Sequence, residues 1–204
     1  MAKVWNDFFP LLDPHLQSCP NETKRTYLAS TTADFFARTY LWQDDIDAVY
    51  LSPNSIEYDL EADGNVEVED VISVVLDGTM LERIDFRHVP HERRDEVGDP
   101  TKYWVHADRT IRVFPIPNRR AVMSVAAVLK PRRDGTGVED WIYETWADVL
   151  VSGTIAQLAM IPGKDWSDVN LATMHKAIFE RAISNTRIRD TRGVQLSAQL
   201  RPFV

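Results

Sequence analysis

Apolar residues recur at helical spacing near both ends of this chain and at strand spacing in its middle. In 140–158, Trp141, Thr145, Val149, Ser152 and Ala156 fall three to four apart. The small residues Ser152, Gly153, Ala156 and Ala159 predict a face on which a partner backbone approaches closely. In 166–188, Val169, Ala172, Ile178, Ala182 and Ile183 repeat the spacing, with Ser167 or Asp168 as N-cap and an end near Asp190, Thr191, Arg192 and Gly193. Ile161, Pro162 and Gly163 interrupt the pattern once, so the two stretches predict a helical hairpin. An earlier helix is predicted from Pro20, read as its first residue, to about Tyr40, with Tyr27, Leu28, Phe35 and Trp42 inward.

From Ile46 the period falls to two, and 55–61 alternates cleanly before the turn residues Ala62, Asp63, Gly64 and Asn65. Further strands are predicted at 66–76, 80–86, 103–107, 110–114 and 121–129, separated by Asp77-Gly78, a charged stretch at 89–100, Asp108-Arg109 and 115–120. Helix, strands and then a helix pair predict an α+β protein: a helical bundle with an inserted antiparallel sheet or small sandwich. The expected boundaries are 1–44 with 138–190 for the helical domain, 45–137 for the inserted β domain, and 191–204 for an extended C-terminal arm.

Composition adds compartment and charge to that outline. With 204 residues, 44% of them hydrophobic, the chain can build a core, and its single Cys19 rules out an internal disulfide framework and suits a reducing compartment. No basic segment followed by an apolar run opens the chain and no apolar stretch reaches spanning length, so synthesis in the cytoplasm without membrane insertion is expected. The net charge of −8 is uneven: residues 1–80 hold 15 Asp and Glu against 4 Lys and Arg, and 81–204 hold 16 against 19. Residues 44–77 alone carry eleven carboxylates and no Lys or Arg, which disfavours static binding of nucleic acid and favours a basic protein surface. A plain solvated acidic face is the alternative.

Candidate chemistry is sparse. His88, His91 and Glu92, with Asp95 nearby, are the best metal or ligand set, and they frame the alternative reading of an enzyme. Pro90 opposes the helix that would align them, and their order matches neither His-Glu-x-x-His nor its inverse. Gly163-Lys164 lacks both the first glycine and the Ser or Thr of a phosphate loop, since Leu158 and Asp165 occupy those places. No nucleophile elbow occurs, and Cys19 has no evident base. The acidic pairs lie in polar contexts that predict exposure and ordinary acidity.

Arg87, Arg93, Arg94, Arg119, Arg120, Arg132 and Arg133 gather in three expected loops that a β fold can bring to one end. Contact with phosphate, contact with an acidic protein surface and simple solvation all remain open for them. In the tail, Leu196, Leu200 and Phe203 alternate with polar residues, as expected either of an arm docking on another subunit or of a terminus packing on its own domain.

Four segments taken together resemble the head-to-tail adaptor proteins of tailed bacteriophages, also called connector or head-completion proteins and, in some short-tailed phages, tail tubular protein A. They are residues 14–20 (Pro-His-Leu-Gln-Ser-Cys-Pro) before a helix ending in 35–42, residues 99–103 leading to 111–117, the strand end Leu129-Lys130-Pro131, and the helix 150–159 before Lys164-Asp165-Trp166. The resemblance implies a virion structural protein with no catalytic residues and no cofactor. It further implies a ring, dodecameric in this family, between the portal and a tail nozzle or tail tube, with the genome passing through the channel without specific binding. On that footing Trp141, Trp146, Leu196, Leu200 and Phe203 are expected to anchor apolar contacts, and Arg119, Arg120, Arg132 and Arg133 polar ones. A surplus of carboxylate at the lumen would keep passing DNA mobile, because each neutralised phosphate adds a salt-dependent hold.

Overall fold

A computed structural model of the protein describes residues 2–62, 64–85, 87, 95–106 and 109–199, with side chains through Arg187. The chain opens with β1 (Ala2–Val4), a 3-10 turn (Trp5–Phe8), α1 (Phe9–Leu12) and α2 (Asn21–Thr39). Strands follow as β2 (Gln43–Leu51), β3 (Glu57–Asp59), β4 (Val66–Leu76), β5 (Thr79–Met80), β6 (Glu82–Arg83) and β7 (Val97–Gly98). They continue as β8 (Lys102–Val105), β9 (Thr110–Phe114), β10 (Ile116–Pro117), β11 (Ala121–Pro131) and β12 (Gly137–Glu139), before α3 (Asp140–Ala159) and α4 (Val169–Gln199). The fold is α+β. Two compact units result, one of Met1–Leu41 with Lys130–Val204 and one of Trp42–Leu129.

In the first unit α2 buries Leu28, Ala29, Thr32, Phe35, Phe36 and Thr39, the stripe that a 3.6-residue period predicts. Thr32 and Thr39 are tolerated there because their hydroxyls donate to the carbonyls of Leu28 and Phe35, each at 2.8 Å. Two expected inward residues differ. Tyr27 is half-buried, and Trp42 lies beyond the helix, buried in the second unit. Pro20 is the N-cap rather than the first helical residue, and the helix stops where Tyr40 turns left-handed at φ 53°.

The hairpin of α3 and α4 is present, with a link longer than Ile161-Pro162-Gly163. Asp168 caps α4 by accepting from the amides of Asn170 at 2.9 Å and Leu171 at 3.0 Å, so Trp166 belongs to the link. The helix also outruns the expected end: it continues through Gly193 to Gln199, where an extended arm from residue 191 was anticipated. A mid-helix glycine costs only about 1 kcal/mol, too little to stop a helix with good formers on both sides.

The small-residue face of α3 packs inside the unit. A Cβ on Gly153 would lie 2.6 Å from the Thr31 methyl of α2 and 2.7 Å from the Phe179 ring of α4. Trp5, 1% exposed, follows β1 and donates its indole N–H to the Gly135 carbonyl at 2.6 Å, just before β12, with which β1 pairs. Gly137 has no substitute in that pair, because a Cβ there would overlap the Lys3 carbonyl.

The second unit holds two four-stranded sheets, ordered β2-β11-β4-β5 and β3-β9-β8-β6, and a short pair of β7 with β10. Most pairing is antiparallel, as the turn chemistry predicts; Asp77 and Gly78, both at positive φ, join β4 to β5. Two pairings are parallel, β6 with β8 and β7 with β10, which departs from the purely antiparallel expectation. The intervening chain is long enough for the crossover that parallel strands require. Tyr103 and Trp104 are neighbours on β8 and both buried, so the second sheet is covered on each face; Trp104 packs with Phe114 and Ile84.

Candidate assembly surfaces

Trp141 and Trp146 are half-buried and held by their own unit. Trp141 meets the Phe36 ring edge-on at 5.9 Å between centroids and donates its indole N–H to Glu139 at 2.6 Å. Trp146 lies 5.1 Å from Phe35, which also touches Phe36 and Phe179. Only the outer edges of these two indoles remain for a partner. Leu196 falls on the helical backbone of α4 beyond the described side chains. Leu200, Phe203, Arg93, Arg94 and the metal-reading set His88, His91 and Glu92 lie outside the described residues.

Two exposed apolar surfaces differ from the sequence reading, which placed Val169 and Ile178 in the packed stripe of the return helix although Val169 is 64% exposed. On α4, Met174 is 54% and Ile178 45% exposed, while Ala172, His175, Phe179 and Ile183 form the buried stripe. The signal was a second apolar row at i and i+4, displaced from the first, which a single-stripe reading absorbs into the core. On the first sheet Tyr50 is paired with Val122, and Val75 with Met80. Their strand neighbours Leu51, Met123 and Leu76 are buried, so side-chain alternation sends this row outward. Tyr50, Val122, Asp77, Arg119 and Arg120 line a cleft of about 430 Å³ at its end.

The cations divide by partner. Arg119 bridges Asp77 at 2.7 Å and Asp99 at 3.0 Å; its hydrogen bond, with that from the Val122 amide, holds the Asp77 carboxyl below the usual carboxylate range. Arg83 pairs with Asp70, Arg109 with Glu67, Arg112 with Glu57, and Arg132 with Asp134 two residues away. Arg120 and Arg133 are exposed without an ionic partner among the described residues. Residues 119–120 and 132–133 also belong to different units.

Four carboxylates of the acidic stretch, Glu57, Glu67, Asp70 and Asp77, are thus neutralised by arginines from later in the chain. Charge segregates by unit rather than by sequence half. The Trp42–Leu129 unit carries 18 Asp and Glu against 9 Lys and Arg, a net of −9, and the other carries 13 against 14, a net of +1. Asp44, Asp45 and Asp47, exposed on β2, have no cationic partner among the described residues.

Among the described residues no group of three or more His, Cys, Asp or Glu is placed to hold a metal. Cys19 is buried, and burial pushes its thiol above the ordinary value, away from the reactive thiolate. None of the helices described is long and apolar enough to cross a membrane.

The family model described as SU10 adaptor protein matches residues 11–202. No curated protein matches the chain. The match takes in all three long helices and every strand from β2 to β12. The chain therefore belongs to the SU10 adaptor protein family, phage adaptors that are structural components of the virion.

Proposed function

We propose that this protein is a non-enzymatic head-to-tail adaptor whose copies close into a ring, dodecameric as in the adaptors it resembles, between the portal and the tail nozzle or tail tube. Self-contact runs through the helical unit and the end of α4. The observation that carries this reading is the division of charge. A unit of net +1 with exposed Met174 and Ile178 can meet its copies without like-charge repulsion, whereas units of net −9 repel one another. A ring is a heterologous closed contact, one surface of each copy meeting a different surface of the next.

The exposed edges of Trp141 and Trp146, together with Leu196, Leu200 and Phe203, supply apolar anchoring, and Arg120 and Arg133, exposed without an ionic partner among the described residues, take an external carboxylate. Arg119 and Arg132 act mainly within the chain. The unpaired Asp44, Asp45 and Asp47 rim the channel and leave passing DNA mobile. Native mass spectrometry of the chain mixed with portal is the test: a closed oligomer is expected, and Ile178→Asp should reduce it. Monomer alone at every concentration, with portal present, overturns the ring.

A further inference from the structure

His175 on α4 is the outlier of the helical unit. It is 8% exposed, and neither ring nitrogen meets a hydrogen-bond partner among the described residues. Its contact is another imidazole: His15, exposed in the segment between α1 and α2, stands edge-on to it with centroids 5.2 Å apart and planes at 71°. A neutral ring pair of this kind is an ordinary aromatic contact. A charged one is not, because a buried cation without an acceptor is costly and a second charge at that distance adds repulsion.

The charged groups around the pair offer no compensation. On the same segment Asp13 is committed to Lys24 of α2 at 2.6 Å. Elsewhere on the first turns of α2, Glu22 is paired with Arg25 at 2.9 Å. On α4, Glu180 is committed to Arg38 of α2, and Lys176 adds only a further positive charge. The stretch of α3 from 150 to 159 holds no ionisable side chain at all. Burial first, and the His15 charge second, hold the His175 imidazole below its ordinary value.

We propose that the His15–His175 contact is an acid-sensitive latch, holding segment 13–20 on α4 while the His175 ring is neutral and releasing it when His175 takes up a proton. The proton is accommodated in the open form, where the imidazole reaches water. The sign follows from linkage. A group whose acidity is raised by folding contributes stability above the ordinary imidazole value, about 6.5, and loses it as pH falls through the depressed one. A single proton changes the opening equilibrium by at most about tenfold per pH unit.

The test is amide hydrogen exchange of the full chain between pH 7.5 and 5, corrected for the intrinsic pH dependence, with an NMR titration of the His175 ring. Opening of residues 15–19 should grow several-fold below about pH 6.5, while β4 and β11 amides stay protected. In His175→Phe, which keeps an aromatic edge but cannot be protonated, the acid dependence at 15–19 should vanish. An equal acid slope in wild type and His175→Phe overturns the latch, as does acceleration spread uniformly over both units. Should His175→Phe fail to fold, the wild-type titration decides: a ring protonating at or above the ordinary imidazole value overturns the proposal, and a depressed one with opening confined to 15–19 supports it.

Discussion

Gly153→Ala offers a test in which the sign of the effect, and not merely its size, separates two accounts of α3. On a solvent-facing helix the substitution stabilises by about 1 kcal/mol, because alanine loses less backbone freedom than glycine on folding. Here the new methyl would stand 2.6 Å from the Thr31 methyl and 2.7 Å from two atoms of the Phe179 ring. None of these is the free end of a flexible side chain. Thr31 and Phe179 are 0% and 5% exposed, and Phe179 is braced by Phe35 at 6.0 Å. Relief therefore requires α2 or α4 to move as a body. Overpacking of this kind costs about 1–3 kcal/mol. Set against the propensity gain of about 1 kcal/mol, the expected net is a destabilisation of up to about 2 kcal/mol, and more for Gly153→Val. Urea unfolding followed by far-UV circular dichroism of the helical signal measures it, with Ala177→Gly as the exposed-site control for the propensity term. A midpoint above wild type for Gly153→Ala would refute the close three-helix approach.

Two further outcomes follow from the packing. Trp5→Ala removes a fully buried indole together with its bond to Gly135, and should cost about 3–5 kcal/mol in the same unfolding assay; Trp5→Phe, which keeps most of the volume and loses the bond, should cost less. Arg119→Ala frees the Asp77 turn from its guanidinium and should speed amide exchange at 77–80, whereas Arg120→Ala, without an ionic partner among the described residues, should leave it unchanged. Because Arg119 holds the Asp77 carboxyl down, the contribution is present above the usual carboxylate range and is lost as pH falls through the depressed value. Arg119→Ala should therefore flatten the acid dependence of exchange at this turn, and an unchanged dependence would show that the bridge does not form in solution.

Much of the fold was legible because it is written in local chemistry. The 3.6-residue stripe of α2, the cap at Asp168, the turn at Asp77-Gly78 and the alternation of buried Tyr58 and Leu60 with exposed Asp59 and Glu61 each depend on residues within a few positions of one another. The places where reading failed share the opposite property. Gly193 carries the residue type of a helix end, yet α4 runs through it. Parallel pairing of β6 with β8 depends on a crossover whose direction no short window contains.

The same division governs the surfaces. From sequence the chain held an acidic first part and a basic remainder, and the arginines at 119–120 and 132–133 looked like one rim. Composition determined how many charges there are. Only the tertiary structure decided which are still free: β9 brings Arg112 beside Glu57, the turns bring Arg119 to Asp77 and Arg109 to Glu67, and Arg120 and Arg133 are left without such partners among the described residues. It likewise turned Met174 and Ile178 outward and His175 inward from one helix with two apolar rows. Periodicity is a property of neighbours along the chain, so sequence carries it. Which charge meets which depends on strands and turns tens of residues apart, and that pairing exists only once the chain has closed its loops.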